Sequence, residues 1–148
     1  MEGRPGVAGE VTGAPAWLIA VERVHALQAL AIERWGGLPG IRRAGCVEGS
    51  IAGSLSAALY AMETDDEEPD VLTVAAHILF YLARNHCYND GNKRIAWLAF
   101  TDQLAVFGLD VDATTTEVER LVLDVAAGTI ASAEAAREWI APRLIAIA

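Results

Sequence analysis

Two stretches of this chain are apolar on nearly every face, and a short polar segment joins them. Residues 71–85 (VLTVAAHILFYLARN) are interrupted only by Thr73, His77, Arg84 and Asn85, and residues 92–107 supply Ile95, Trp97, Leu98, Phe100, Leu104, Val106 and Phe107. A helix without a polar face belongs in the middle of a domain, covered by others. The pattern therefore predicts two central helices, with the residues between them tied to the core at both ends. A loop held in that way is rigid, which suits chemistry.

Outer helices must cover the central pair. Residues 17–35 place Leu18, Val21, Val24, Leu27, Leu30 and Ala31 at helical spacing and stop at Gly36-Gly37. A second helix is predicted from about 46 to 62, with Ile51, Leu55, Ala58, Leu59 and Met62 on one face. Thr114-Thr-Thr-Glu117 reads as a capping box that opens a helix with Val118, Leu121, Val122 and Val125 inward, and Gly128 ends it. A last helix starts near Ser132, includes Trp139 and Ile140, and is kinked or restarted by Pro142. No strand pattern of convincing length occurs, although Gly108-Leu-Asp-Val-Asp112 could be a short extended connection. The expected fold is all-α: a compact single domain of about six helices over residues 16–148, after a flexible Gly- and Pro-rich segment over residues 1–15.

Composition narrows the functional classes. A net charge of −9 argues against a nucleic-acid binder, which accumulates Lys and Arg. No stretch is apolar for long enough to span a bilayer, and the N-terminus lacks the apolar block of a signal peptide, so a cytoplasmic protein without a membrane partner is expected. The two cysteines, Cys46 and Cys87, are not expected to form a disulfide framework, and Cys87 reads as a small filler rather than a nucleophile. Asp65, Asp66, Glu67, Glu68 and Asp70 read as a solvated loop around Pro69, with a docking patch for a basic partner as the alternative. His25 and His77 read as structural, because a metal site would need more ligands at suitable spacing.

The joining segment is His86-Cys-Tyr-Asn-Asp-Gly-Asn-Lys-Arg94. A histidine can take a proton near neutral pH, Asp90 can hold a hard cation such as magnesium, and Lys93 with Arg94 can offset phosphate charge. Gly91 permits a tight turn that aims amides at an anion. The second central helix should begin near Gly91 or Asn92, presenting unpaired amides and the positive end of its dipole to the loop. Each residue also has a plain structural reading. His86 could cap a carbonyl at a helix end, Asp90 could open an Asp-Gly turn, Asn92 could be an N-cap as well as a phosphate ligand, and Arg94 could pair with a surface carboxylate. Arg84, about one turn earlier, could join a phosphate site or form a surface ion pair.

The motif His-x-Phe/Tyr-x-Asp-Gly-Asn-Lys-Arg resembles the signature of the Fic/Doc proteins, and Lys93, where most Fic enzymes have a second glycine, resembles the Doc branch. Glu33-Arg-Trp-Gly-Gly-Leu-Pro-Gly-Ile-Arg42 looks like the connection after the first helix of Doc-like toxins. By order and spacing of helices the resemblance covers roughly residues 17–145. It implies a compact all-helical fold and assigns His86 as general base, Asp90 as magnesium ligand, and Gly91, Asn92, Lys93 and Arg94 as the phosphate site. Tyr88 would anchor the loop in the core, its hydroxyl finding a partner.

The resemblance further implies the reaction. Lys93 should obstruct the nucleotide pose of AMP-transferring Fic enzymes and favour ATP in the reverse sense, so that the gamma phosphate meets a protein hydroxyl. The substrate implied is a threonine of elongation factor Tu, the cofactor magnesium, and the inhibitor a small antitoxin encoded alongside. No self-inhibitory Ser/Thr-x-x-x-Glu-Gly/Asn string is present, so inhibition is expected from another chain, in an exposed apolar groove. Cys87 and Arg43 depart from the usual pattern and bear on substrate choice. The alternatives are a Fic-type AMP transferase, an inactive binding module, and a toxin with another target.

Overall fold

In chain order the elements are α1 (Val21–Trp35), α2 (Cys46–Ala61), α3 (Val71–Asn85), α4 (Asn92–Ala105), β1 (Leu109–Val111), α5 (Thr115–Ala127), α6 (Ala133–Ile140), a 3-10 turn (Ala141–Arg143) and β2 (Leu144–Ala146). The structure is a computed structural model and describes residues 13–61 and 70–147. The expected acidic loop, apart from Asp70, therefore lies outside the described residues, as do Met62 and most of the expected N-terminal segment.

The helix α3 is buried along nearly its whole length and packs against α2, α4, α5 and α6. Its start is fixed by Asp70, which accepts the Leu72 amide at 3.3 Å and the Thr73 hydroxyl at 2.7 Å, while Arg137 of α6 reaches back to the same carboxylate. His77 donates from Nδ1 to the Thr73 carbonyl at 2.8 Å and is structural, as expected. The second central helix, α4, rests on α1, α3, α5 and β1. Its buried Gln103 accepts the Ile19 amide and donates to the Trp17 carbonyl, both at 2.8 Å, so the segment before α1 is tied to the core by a satisfied polar side chain. The capping box at Thr114 and Glu117 is present in both directions, at 3.1 and 2.8 Å, and Gly128 ends α5 in the left-handed region.

Several expectations are corrected. The helix α4 ends at Ala105, leaving Val106 and Phe107 exposed, with Phe107 edge-on to Trp17. Leu30 of α1 and Leu59 of α2 also face outward, because the inner lines run through Val21, Val24, Gln28 and Ala31, and through Val47, Ser50, Ile51, Ser54 and Ala58. The helix α6 ends at Ile140, and Pro142 restarts the chain only for a single turn. It sits in a 3-10 turn that leads into β2, whose Leu144, Ile145 and Ala146 pair antiparallel with Val111, Asp110 and Leu109. A Pro lacks the N–H that a continuing helix would need, and the chain turns into the sheet instead. Cys46 and Cys87, expected to be unpaired, form a disulfide with Cα atoms 5.2 Å apart, joining the start of α2 to the loop after α3. None of the described helices is long and apolar enough to cross a membrane.

Candidate active site

The loop between α3 and α4 spans residues 86–91 and turns through left-handed backbone at both ends. His86 closes α3 at φ 53, ψ 51, and Gly91 precedes α4 at φ 72, ψ 21. For glycine that conformation is free; for histidine it costs about 1–2 kcal/mol and persists where neighbours enforce it. Here they do. The carbonyl of Cys87 accepts the Arg42 and Arg43 amides at 2.8 and 3.3 Å, the Arg43 guanidinium donates to the Asn85 carbonyl at 2.8 Å, and Asn85 Nδ2 donates to Ser50 Oγ at 2.8 Å. Both neighbours of His86 are thus held by residues 42–50, which leaves its ring exposed at the surface of a fixed turn.

Tyr88 drives the loop inward. It is 3 % exposed, and its hydroxyl meets His25 Nδ1 of α1 at 2.7 Å, the partner expected for a buried phenol. Burial, with the charge of Glu48 nearby, pushes the phenol above its usual range, so it stays protonated against His25. The side chain of Asn92 clamps the same residue, accepting the Tyr88 amide at 3.0 Å and donating to the Tyr88 carbonyl at 2.9 Å. Asn92 is therefore the first residue of α4 and not its cap. Gly91 holds the cap position without a side chain, which leaves the first amides of the helix uncapped by the chain.

The upstream segment forms the other wall. Ile41 makes an antiparallel bridge with Tyr88, and Asn89 donates its amide to the Gly40 carbonyl and its Nδ2 to the Pro39 carbonyl, both at 3.0 Å. Asp90 Oδ2 accepts the Leu38 amide at 3.2 Å, Oδ1 accepts the Gly91 amide at 2.9 Å, and the Asp90 carbonyl accepts Gln28 Nε2 at 2.8 Å. A carboxylate has about four lone-pair positions, so two amide bonds orient Asp90 and leave it able to bind a cation. Among the described residues no group of three or more acidic, His or Cys side chains could hold a metal ion. A lone exposed carboxylate fits magnesium, which completes its shell with water and phosphate oxygens. It would not fit zinc or calcium.

Lys93 and Arg94 are exposed on the first turn of α4, and no described carboxylate forms an ion pair with either. Arg94 lies 5.1 Å over the ring of Trp35, which Arg34 also approaches at 5.1 Å. Both motif cations line an open groove of about 800 Å³ between α4, β1 and α5, with Trp35, Trp97, Val118 and Leu123 among its walls. His86 and Asp90 lie outside that groove. Arg84 stacks over Phe80 at 5.1 Å, with Nη2 near Gly128 at the end of α5, and the structure does not bring it into the loop network.

Residues 18–104, more than half of the chain, match the sequence model of the Fic/DOC family. The chain belongs to the Fic/Doc family. It is similar to the protein kinase doc of Escherichia phage P1, with 37% identity over 78 residues, covering 53% of this chain and 58% of that protein. The chain thus matches less than two thirds of that relative's length. For this Fic/Doc chain, the helical architecture and the loop between two buried helices agree with the expectation drawn from the motif. Gln28, the Leu38 amide and Trp35 were not anticipated. Gln28, 4 % exposed, was detectable as a polar residue on the inner line of α1, whereas a backbone amide leaves no mark in a sequence. Its Oε1 has no hydrogen-bond partner among the described residues.

Proposed function

We propose that this chain is a Doc-type toxin that transfers the gamma phosphate of ATP to a hydroxyl of a protein target. The observation that carries the reading is the division of the loop into an oriented acid–base half and a cationic half. His86 and Asp90 are fixed by backbone contacts, while Lys93 and Arg94 stand without carboxylate partners among the described residues at an uncapped helix start. Cations at a helix N-terminus are disfavoured by its dipole, and a bound anion reverses that balance. Magnesium held at Asp90 would neutralise phosphate charge. The exposed ring of His86 would accept the proton of an incoming hydroxyl. The α4 amides, Lys93, Arg94 and the remaining Asn92 N–H would bind phosphate oxygens, so rate enhancement comes from positioning and charge neutralisation.

Lys93 is the residue that favours kinase over AMP-transfer chemistry, since its side chain takes the space that a glycine would leave for the nucleotide. Elongation factor Tu is the proposed substrate and the cytoplasm the proposed compartment. The proposed regulator is an antitoxin seated over the α4–α5 groove, where exposed Leu123 and half-buried Trp97, Leu98 and Val118 await cover beside the two cations.

Incubation with magnesium and ATP labelled at the alpha or the gamma phosphate, in the presence of elongation factor Tu and of whole lysate, tests the reading. Gamma label on a protein, lost in His86→Ala, is the expected result. Alpha label would make the chain an AMP transferase and overturn the role of Lys93. No label above the His86→Ala control would leave a binding module.

A further inference from the structure

The disulfide between Cys46 and Cys87 plays no part in the chemistry above, yet it touches the loop at its most constrained point. Cys87 follows His86 directly, is 1 % exposed, and has its carbonyl bonded to Arg42 and Arg43. Cys46 is partly exposed at the first turn of α2 and opens onto a second cavity of about 330 Å³, lined also by Arg43, Gly45, Gly49 and Asn85. Arg43, which lines the cavity, and the α2 amides bring positive charge to its mouth, set against one acidic side chain of the same first turn, Glu48.

We propose that Cys46 is a thiol–disulfide exchange site for anionic low-molecular-weight thiols, through which a covalent strap on the turn carrying His86 is opened and closed. A small thiolate attacks Cys46 Sγ. A new S–S bond forms there, the bond to Cys87 breaks, and the electron pair leaves on Cys87 Sγ. Ser50 Oγ lies 3.7 Å from that sulfur, placed to donate to the departing thiolate before solvent protonates it. A second small thiolate then attacks the external sulfur, releasing the Cys46 thiolate. Two small thiols are oxidised to one disulfide while the protein disulfide is reduced to two thiols. The accessible sulfur is attacked and the buried one leaves, because exchange depends on access as well as thiol chemistry. Only the significance of His86 rests on the proposed function; the exchange itself does not.

Glutathione is the probe. The full chain is treated with reduced glutathione, quenched by acid and mapped by mass spectrometry, with rates compared against neutral 2-mercaptoethanol. The expected adduct is on Cys46. An adduct on Cys87, or reduction no faster than global unfolding, would overturn the site. So would finding both cysteines as free thiols that oxidised glutathione leaves unmodified. Arg43→Ala should lower the ratio of the glutathione rate to the 2-mercaptoethanol rate roughly threefold, the effect of one unit charge a few ångströms away in water. That ratio cancels any general loosening of the fold, and an unchanged ratio would remove the anionic-thiol preference. The imidazole NMR signal of His86 should shift on reduction. A signal that stays put while the disulfide opens would refute the strap, whatever the label-transfer experiment shows.

Discussion

Gly36 and Gly37 are neighbours with the same backbone problem and different surroundings, and the pair isolates what positions Asp90. Both have positive φ, 86° and 119°, where an L-residue is strained. A Cβ on Gly36 would meet nothing within 4 Å, whereas one on Gly37 would lie 3.0 Å from Asp90 Oδ2 and 3.1 Å from Ile32 Cδ1. Conformational strain in such regions costs on the order of 1–3 kcal/mol, so each alanine variant should lose about 2 kcal/mol of stability. For a chain of this size that is roughly 4–8 °C in Tm. Gly37→Ala must in addition move the carboxylate by a few tenths of an ångström, and its 3.2 Å bond to the Leu38 amide is already long. Thermal unfolding with and without magnesium, together with the magnesium dependence of gamma-label transfer, separates the two effects. Both variants should melt early, and only Gly37→Ala should need more magnesium, on the order of tenfold for a misplaced ligand. Equal magnesium requirements in the two variants would refute the claim that this backbone contact sets the carboxylate.

Tyr88→Phe removes the bond to His25 without changing shape, and because His25 is half-buried and water can replace the hydroxyl, differential scanning calorimetry should show a loss of about 1 kcal/mol. Asn92→Asp keeps an acceptor for the Tyr88 amide but sets a charged oxygen against the Tyr88 carbonyl, and chemical denaturation should show a loss of about 1–3 kcal/mol. For Asp70, burial pushes the carboxyl upward but is outweighed by the Thr73 hydroxyl, Arg137 and the Leu72 amide, so its pKa lies below the ordinary value. A depressed folded pKa adds stability above the unfolded value near 4, lost as pH falls through the folded one. Asp70→Asn, which retains the cap, should therefore be less stable at neutral pH by under about 1 kcal/mol for so exposed a pair. Its Tm should begin to converge with that of the parent as pH falls below about 4 and meet it only below the folded pKa. Lys93→Gly should weaken gamma-label transfer while leaving Tm within about 2 °C, since Lys93 is an exposed surface residue without an ion pair among the described residues.

Local signals were the legible ones. The two apolar runs became the central helices, Gly36 ended α1, the Thr114–Glu117 box opened α5, and α4 started at Asn92, one of the two positions expected. Periodicity reports which residues share a face, but not how far that face is covered. Leu30 and Leu59 lie at the edge of their stripes and turned out exposed, and Phe107 passed the end of its helix because Gly108 begins the strand connection. The site contacts were harder to see. Gln28 and Asp90 are 62 residues apart, Leu38 and Asp90 are 52 apart, and Tyr88 and His25 are 63 apart. No local rule links positions at that distance. Likewise two cysteines 41 residues apart carry no spacing signal, and only the folding of residues 41–46 against the loop brings them together.

The two halves of the loop are built by different means, and this has a consequence for how the site tolerates change. His86 and Asp90 are placed mainly through peptide groups: the amides of Leu38, Gly91, Arg42 and Arg43 and the carbonyls of Asn85, Cys87 and Asp90. Backbone contacts survive most side-chain substitutions but fail when the path of the chain alters, so the sensitive positions are glycines and turn residues such as Gly37 and Gly40. A Cβ on Gly40 would lie 3.0 Å from Asn89 Nδ2. Lys93 and Arg94 have no such frame, apart from the stacking of Arg94 on Trp35. Changes there should alter anion binding with little effect on stability. Changes in residues 36–45 should alter both together, because in that segment holding the fold closed and aiming His86 and Asp90 are the same set of hydrogen bonds.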